Sequence, residues 1–307
     1  MPIHPWLMEK FEQLRDIPSF DAALHDPQYG ARFMSYLEDP SPWTPPPGVT
    51  AETVDADGVP VKVFRPNATS ASAPTGALLW MHGGGFLIGT IDDTESVIPG
   101  YELAARAGVV VVSVGYRLAV DGVRSPAPLD DVLTAWRWLE RQGLRRLFMG
   151  GASVGANLAV AATARLRDDH RPVPRGLLRA YPTLHFPSPP PGSALMRELE
   201  QLPTMLRFEP ATQLGTVLNY FGRLTDLPAG VAPGNFDLNG LPETWLAPAE
   251  YDELRASAEL FEQQLHETGV PVHLELARGM VHGFLGRSPA LEPVNATLDF
   301  FAGALRA

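Results

Sequence analysis

Ser153 has the surroundings that best suit nucleophilic chemistry in this sequence. It lies within Gly151-Ala152-Ser153-Val154-Gly155, after the apolar run 147–149 and before the small-residue stretch 156–162. A strand, a G-x-S-x-G turn and a helix in this order predict a nucleophile elbow, whose sharp turn exposes the serine hydroxyl. A serine hydroxyl is a weak nucleophile at neutral pH, so this interpretation also requires an adjacent base.

A glycine-rich loop upstream of the serine could stabilise negative charge. The residues His82-Gly83-Gly84-Gly85-Phe86 follow the apolar run 78–81. Three adjacent glycines carry no Cβ, so their backbone N–H groups can approach a small anion closely. Loops of this HGGG type usually supply oxyanion donors to a nucleophile elbow. The two motifs together predict the chemistry of a serine hydrolase.

The base should be a histidine that follows Ser153, because the order in chains with this elbow is serine, acid, histidine. The histidines after Ser153 are His170, His185, His266, His273 and His282. His282 lies in the glycine-flanked loop 279–284, directly after the predicted strand Val272–Leu276. Loops at the carboxyl ends of parallel strands carry the functional groups of such sheets. His282 is therefore predicted to be the base.

Two carboxylates follow the preceding predicted strand and could orient this imidazole. The stretch Ala249-Glu250-Tyr251-Asp252 ends a strand and opens a helix. An acid here would hold the tautomer of the histidine and stabilise its protonated form. Asp252 could also serve as a helix N-cap. The spacing alone leaves both Glu250 and Asp252 open as the acid.

Apolar runs alternate with amphipathic stretches from residue 77 onward. Strands are predicted near 77–81, 109–114, 145–149, 176–181, 243–248 and 271–276. Helices are predicted near 94–107, 127–141, 154–167, 253–268 and 290–304. This alternation predicts an α/β fold with a mainly parallel central sheet flanked by helices. Asp57-Gly58, between the segments 50–56 and 59–64, predicts a β-hairpin.

Two further regions lie outside this alternation: a helical N-terminal region and a long insert that is a candidate cap over the active site. Residues 5–38 show helical spacing broken at Pro18 and Pro27. About sixty residues, with a predicted helix around 212–224, separate the strands that end near Tyr181 and begin near Glu243. The predicted division is N-terminal helices at 1–45, core at 46–185, cap insert at 186–228 and core at 229–307.

Composition excludes several classes of protein. The 307 residues carry a formal net charge of −11 and no long basic run, which disfavours nucleic acid and anionic membranes as partners. The absence of cysteine excludes disulfides and thiolate chemistry. No apolar run approaches the ~20 residues of a membrane span, and no signal peptide is visible, so a cytoplasmic location is expected.

Several motifs make the chain resemble the hormone-sensitive-lipase-like carboxylesterases, a bacterial family of α/β-hydrolases. They are the segments 82–86, 115–119, 130–135, 151–159, 249–255 and 279–284. The resemblance implies Ser153 as nucleophile, Asp252 as acid and His282 as base. It implies an oxyanion hole made by the backbone N–H groups of Gly84, Gly85 and Val154. It also implies a structural role for His82 and a cap built from the N-terminal helices and the insert.

The sequence departs from the family pattern near these motifs. The elbow carries Ala152, Val154 and Ala156 where members commonly read G-D-S-A-G-G, and Val120-Asp121 replaces the usual Pro-Glu. Ala256-Ser257 replaces a usual acidic pair. The three predicted triad residues are unaffected by these departures.

The function predicted from these features is hydrolysis of short-to-medium acyl esters through an acyl-enzyme intermediate. An amidase or arylformamidase with the same triad is the nearest alternative, and a non-catalytic small-molecule receptor on this fold is a second. The chemistry needs no metal or organic cofactor, and the expected partner is a small-molecule ester. The assembly, including a homodimer, is left open by the sequence.

Overall fold

A mainly parallel sheet of eight strands forms the centre of the molecule. The structure is a computed structural model that describes residues 2–39, 42–67, 74 and 76–307. The strand order is β1-β2-β4-β3-β5-β6-β7-β9, and all pairings are parallel except β1–β2 and β2–β4. The strands are β1 Val49–Ala56, β2 Val59–Pro66, β3 Gly76–Met81, β4 Val110–Val114, β5 Arg146–Ala152, β6 Gly176–Ala180, β7 Glu243–Ala247 and β9 Val272–Leu274.

Helices cover both faces of this sheet, as the alternation predicts. They are α4 Thr94–Ala107, α5 Ala127–Glu140, α6 Val154–Asp168, α9 Arg255–Glu267 and α10 Glu292–Arg306. Side chains alternate along the buried strand β3: Leu78 and Trp80 pack in the core that contains α4 and α10, whereas Leu79 packs in the core that contains α5 and α6. Because both faces are covered at the centre of the sheet, β3 is buried and apolar along its whole length, which explains why it reads as a continuous apolar run.

The hairpin at the edge of the sheet follows its predicted turn chemistry. Asp57 and Gly58 both have positive φ, 58° and 93°, as a two-residue turn of the primed type requires. The N–H of Gly58 donates to the side chain of Asp55 at 2.8 Å. The predicted hairpin is confirmed, with all eight residues of β1 paired to β2.

The segment that leads to His282 differs from the prediction. The predicted strand 271–276 ends at Leu274, and a second sheet pairs β8 (Ala249–Tyr251) in parallel with β10 (Ala277–Val281). His282 therefore follows β10 rather than the strand that pairs with β7. Pro248 has no N–H for a ladder and separates β7 from β8, although its carbonyl accepts from Ala277 at 2.9 Å.

The predicted cap regions are helical and pack together. They contain α1 Pro5–Lys10, α2 Phe20–His25, α3 Pro27–Leu37, α7 Ser193–Leu199 and α8 Pro210–Phe221. Leu7, Leu14 and Tyr36 from the first region share one apolar core with Leu199 and Met205 from the second. Met1, Pro40 and Ser41 of the predicted segment 1–45 lie outside the described residues. The domain boundaries themselves stay a prediction.

Hydrogen bonds and cation–π contacts join the N-terminal region to the part of the core that carries His282. The N–H of His4 donates to the carbonyl of Gly279 at 2.9 Å. The buried guanidinium of Arg287 donates to the carbonyl of Tyr36 at 2.9 Å and lies over the rings of Tyr36 and Trp6. Within the described residues, no helix has both the length and the apolar character required to cross a membrane.

Candidate active site

The backbone at Ser153 makes the sharp turn that the G-x-S-x-G pattern predicts. Strand β5 ends at Ala152, Ser153 has φ 53° and ψ −118°, and α6 begins at Val154. A Cβ on Gly155 would lie 2.2 Å from the carbonyl oxygen of Met81, so only glycine fits there. The strained serine conformation and the close approach to β3 place the hydroxyl at the carboxyl edge of the sheet.

His282 joins the other two predicted triad residues. Its Nε2 lies 2.9 Å from the Oγ of Ser153, and its Nδ1 lies 2.7 Å from Oδ2 of Asp252. Because a carboxylate only accepts, Nδ1 carries the proton and Nε2 is left to accept from the serine hydroxyl. Asp252 is 1% exposed and Ser153 is 7% exposed. The structure thus brings together three residues that are far apart in the sequence.

The two carboxylates left open by the sequence have different partners. Asp252 contacts His282 through Oδ2, while its Oδ1 accepts from the N–H of Leu254 at 2.9 Å. The N-cap of α9 is Leu254, so the capping interpretation of Asp252 is wrong: its Oδ1 closes the turn before the helix, and its Oδ2 contacts the histidine as the acid interpretation requires. Glu250 instead accepts from the N–H of Gly279 at 2.6 Å, which stabilises the strand that precedes His282.

The other downstream histidines lie away from Ser153. His185 contacts Ser257 at 2.8 Å and Gln264 at 3.0 Å, and burial lowers its pKa. His273 contacts Glu243 at 2.8 Å. His170 and His266 are exposed at the surface. None of these four is hydrogen-bonded to Ser153 or Asp252 in the described part of the chain.

The glycine loop lies against the nucleophile with unused donors. Gly84 and Gly85 have φ of +100° and +64°, and a Cβ on Gly83 would lie 3.1 Å from the Cβ of Ser153. The N–H groups of Gly84, Gly85 and Val154 donate to no acceptor among the described residues. Val154 is also the first residue of α6, where backbone N–H groups have no partner inside the helix. The lack of an acceptor among the described residues is what the predicted oxyanion hole requires of these three donors.

His82 contacts the backbone of the glycine loop and the ring of Tyr116. Its Nδ1 lies 2.8 Å from the carbonyl of Gly83, and its ring stacks on Tyr116 with 4.4 Å between centroids. The hydroxyl of Tyr116 donates to the carbonyl of His82 at 2.9 Å. Burial lowers the pKa of His82, so the ring is held neutral. These contacts agree with the structural role that the resemblance implies.

Sequence reasoning missed a pair of residues that joins the two halves of the site. Glu95, at the start of α4, accepts from the N–H of Gly83 at 2.7 Å and from the hydroxyl of Tyr181 at 2.6 Å. The ring of Tyr181 meets the imidazole of His282 edge-on at 4.8 Å. Burial, and then the charge of Glu95, raises the pKa of Tyr181 well above its ordinary value. No motif signals this pair, because each member lies alone at the end of its element.

The insert contacts both sides of the site. The ring of Phe208 packs on the imidazole of His282 with 4.3 Å between centroids. The ring of Tyr220, on α8, stacks on Phe86 of the glycine loop at 3.7 Å and nearly parallel, 5° apart. The side chain of Asn219 donates to the carbonyl of Ala119 at 2.7 Å. Aromatic side chains of the insert therefore pack against the predicted base and against Phe86 at the end of the glycine loop.

Comparison with known proteins places the chain in a family. Residues 78–286 match the model of a family with the α/β-hydrolase fold. The ethyl acetate hydrolase of Pseudomonas putida is 30% identical over 269 residues, which are 83% of this chain and 80% of that enzyme. Carboxylesterase NlhH of Mycobacterium tuberculosis (strain CDC 1551 / Oshkosh) is 30% identical over 264 residues, 81% of this chain and 79% of the relative.

Comparison of folds agrees with this result. The crystal structure of an esterase from the bacterial hormone-sensitive lipase family superposes with a TM-score of 0.82, at 22% identity, and covers 100% of this chain and 99% of that one. The chain belongs to the α/β-hydrolase family, and the resemblance to its hormone-sensitive-lipase-like carboxylesterases is confirmed.

Proposed function

We propose that this esterase hydrolyses short-to-medium acyl esters through a triad of Ser153, His282 and Asp252. The observation that carries the proposal is the position of the His282 ring, 2.9 Å from the serine hydroxyl and 2.7 Å from the Asp252 carboxylate. A nucleophile, a base and an acid in this arrangement are what serine-dependent acyl transfer requires.

The reaction has two steps. Ser153 Oγ attacks the ester carbonyl carbon while Nε2 of His282 takes its proton, and the carbonyl π electrons move to the oxygen. When the tetrahedral intermediate collapses, His282 gives that proton to the leaving alcohol, and the acyl group stays on Ser153. Water then attacks the acyl carbon as His282 takes its proton, and the serine leaves with that proton. Asp252 keeps the imidazole oriented in both steps.

The oxyanion is stabilised by donors that are in place before the substrate binds. The N–H groups of Gly84, Gly85 and Val154 form the oxyanion hole in this proposal. Val154 also begins α6, a helix of 15 residues, whose N-terminal end favours negative charge. Preorganised donors of this kind are worth on the order of 10²–10³ in kcat each.

The aromatic cover favours small substrates. Phe208 and Tyr220 come close to the base and to the glycine loop, which limits the space beside Ser153. The relative from Pseudomonas putida is named for ethyl acetate, a small ester. We infer that the substrate is a small-molecule ester with an acyl chain of about two to eight carbons, because ligand sites enclose most of a small ligand in apolar surface and these two rings leave little room for a longer chain. The cytoplasmic location stays a prediction.

A panel of 4-nitrophenyl esters from acetate to palmitate, with a matched anilide, tests this function. We expect the highest kcat/KM at short-to-medium chains and only slow turnover of the anilide. Ser153→Ala is the negative control, and its kcat should be lower than that of the parent by a factor on the order of 10⁶. Residual activity within about tenfold of the parent would remove Ser153 from the mechanism. Faster turnover of the anilide than of the ester would favour the amidase alternative.

A further inference from the structure

Glu253, the residue directly after Asp252, is a buried carboxylate with no part in the proposed acyl transfer. Its side chain is 10% exposed, and its partners come from the insert. Oε2 accepts from the backbone N–H of Phe208 at 3.1 Å, and Oε1 lies 3.5 Å from Nε of Arg207. One carboxylate thus joins the loop that carries Asp252 to two consecutive residues of the insert.

The backbone carbonyl and the ring of Phe208 also have partners. Its carbonyl accepts from the side chain of Gln213, on α8, at 2.8 Å. Its ring packs on the imidazole of His282, with 4.3 Å between centroids and 54° between planes. Arg207 lies between Glu253 and Glu209, 3.4 Å from the latter. Phe208, at the end of segment 204–208, therefore has both its backbone N–H and its backbone carbonyl hydrogen-bonded, and its aromatic ring packs against the proposed base.

The burial of Glu253 strengthens the hydrogen bond between its carboxylate and the N–H of Phe208. A hydrogen bond to an ionised, poorly solvated acceptor is stronger than one between neutral groups. Burial raises the pKa of Glu253, while its hydrogen bond with Phe208 and the charge of Arg207 lower it. Oε1 and Nε of Arg207 have no hydrogen-bond partner among the described residues, so the N–H of Phe208 is the hydrogen bond that the insert gives this carboxylate. Loss of the carboxylate would leave that N–H without its acceptor.

We propose that Glu253 is a positioning residue that holds the ring of Phe208 against His282 and so sets which alcohol groups the esterase accepts. This inference rests on the proposed function, because Nε2 of His282 must reach the leaving oxygen to protonate it. The alcohol part of the ester then lies beside the imidazole, next to the ring of Phe208. A fixed ring at this place leaves room for small alcohols and excludes bulky ones.

The first test measures the position of segment 204–208 without using activity. Trypsin cleaves after Arg207 only when the segment opens, and the rate follows the open population. We expect Glu253→Ala to speed cleavage at Arg207–Phe208 by about tenfold, the effect of losing one ordinary hydrogen bond. Glu253→Gln, which keeps an acceptor oxygen, should speed it less. Cleavage after Arg223, an exposed residue outside the segment 204–208, serves as the internal reference.

Glu259→Ala is the matched control for this test. Glu259 lies on α9 and pairs with Arg255 at 2.7 Å, at the surface and away from the insert. Its removal should leave cleavage at Arg207–Phe208 at the parental rate. An unchanged rate in Glu253→Ala would overturn the proposal, whatever the result for hydrolysis. If Glu253→Ala does not fold, the same comparison is made between Glu253→Gln and the parent.

The second test is a double-mutant cycle on alcohol selectivity. Acetate esters of ethanol and benzyl alcohol share an acyl group, so the ratio of their kcat/KM values reports on the alcohol side alone. We expect Glu253→Ala and Phe208→Ala each to raise the benzyl-to-ethyl ratio by about tenfold, a typical effect of a changed apolar wall. In the Phe208→Ala background, Glu253→Ala should then have no further effect, because it acts through that ring.

The outcomes separate this inference from the proposed function. Equal effects of Glu253→Ala with and without Phe208 would contradict a role through the ring. A loss of kcat that is the same for both esters would instead indicate a disturbed Asp252, and would also overturn the proposal. Undiminished hydrolysis by Ser153→Ala would refute the triad while leaving the proteolysis result valid.

Discussion

The hydroxyl of Tyr181 donates to Oε1 of Glu95 at 2.6 Å, while Oε2 of the same carboxylate accepts from the N–H of Gly83. Glu95 thereby couples the glycine loop to a ring that touches the proposed base. Gly83 is the residue before the two glycines of the predicted oxyanion hole. The geometry of the oxyanion donors and the position of the His282 ring consequently depend on one carboxylate.

Tyr181→Phe is expected to lower kcat by about tenfold with little change in KM, because donors that act on the oxyanion stabilise the transition state more than the bound ester. The phenylalanine keeps the ring contact with His282 and removes the hydroxyl, with its hydrogen bonds to Glu95 and to the backbone of Leu285. Steady-state kinetics on a short ester check this. Glu102→Gln, on the same helix as Glu95 and paired with Arg106 at 2.8 Å, is the control and should retain parental kcat. A parental kcat in Tyr181→Phe would contradict the expectation.

Asp252→Asn is expected to retain the fold and lose roughly 10⁴ in kcat, because an amide at this place favours the wrong tautomer of the histidine. Glu250→Gln should have a much smaller effect on kcat, since Glu250 contacts the backbone of Gly279 rather than the imidazole. Kinetics on one short ester, with thermal unfolding as the check on folding, compare the two variants. A larger loss in Glu250→Gln would assign the acid to Glu250.

Gly155→Ala is expected to destabilise the protein by about 1–3 kcal/mol or more, because the added methyl would overlap the carbonyl of Met81 on a central strand. Gly215→Ala is the matched control. Gly215 lies inside α8, and a Cβ there would meet nothing within 4 Å. Alanine favours a helix over glycine by about 1 kcal/mol, so this variant should be as stable as the parent or more stable. Denaturant titrations measure both, and equal stabilities would contradict the packing argument.

Arg179, on β6, is fully buried, and none of its guanidinium nitrogens bonds to a described residue. Its guanidinium lies 4.4 Å from the ring centroid of Phe261, and burial lowers its pKa to about 9. Arg179→Met is therefore expected to stabilise the protein at pH 7, by about 1–4 kcal/mol if it behaves like other buried charges replaced by apolar side chains.

The pH dependence of this effect has a defined sign. A cation whose folded pKa is depressed binds fewer protons in the folded state than in the unfolded state between pH ~9 and its ordinary value. The parent therefore gains stability as pH rises above about 9, and Arg179→Met does not gain this contribution. Denaturant titrations at pH 7 and pH 10 should show the advantage of the variant shrinking at the higher pH. A constant difference would mean that Arg179 is not destabilised as a cation.

Much of the fold was predictable because its signals are local. The predicted helices 94–107 and 127–141 match α4 and α5 within one residue. The periodic pattern of apolar residues begins and ends where each of these helices does. Ser153 and His282 could be placed at strand ends because apolar runs precede them. Their meeting in space follows from the parallel order of the strands, which the alternation of elements implies.

Other features depend on side chains that no local pattern relates. Glu95 and Tyr181 are 86 residues apart, and each resembles an ordinary helix or strand terminus in the sequence. The short strands β8 and β10 escaped prediction because Pro248 and Gly279 interrupt their apolar runs. In the sequence, Glu253 resembles the exposed acidic residues that are common near the start of a helix. Only its burial in the structure distinguishes it from them.

The bond between Arg287 and the carbonyl of Tyr36 spans 251 positions of the chain. Ribosomes make the helices that carry Tyr36 before the strand that precedes His282. These helices must therefore wait until the intervening stretch has been made before they find their final contacts. Closing so long a loop costs entropy that is recovered only when both ends dock, which slows folding. The ability to hydrolyse esters should consequently emerge as one of the last events in the maturation of a newly made molecule.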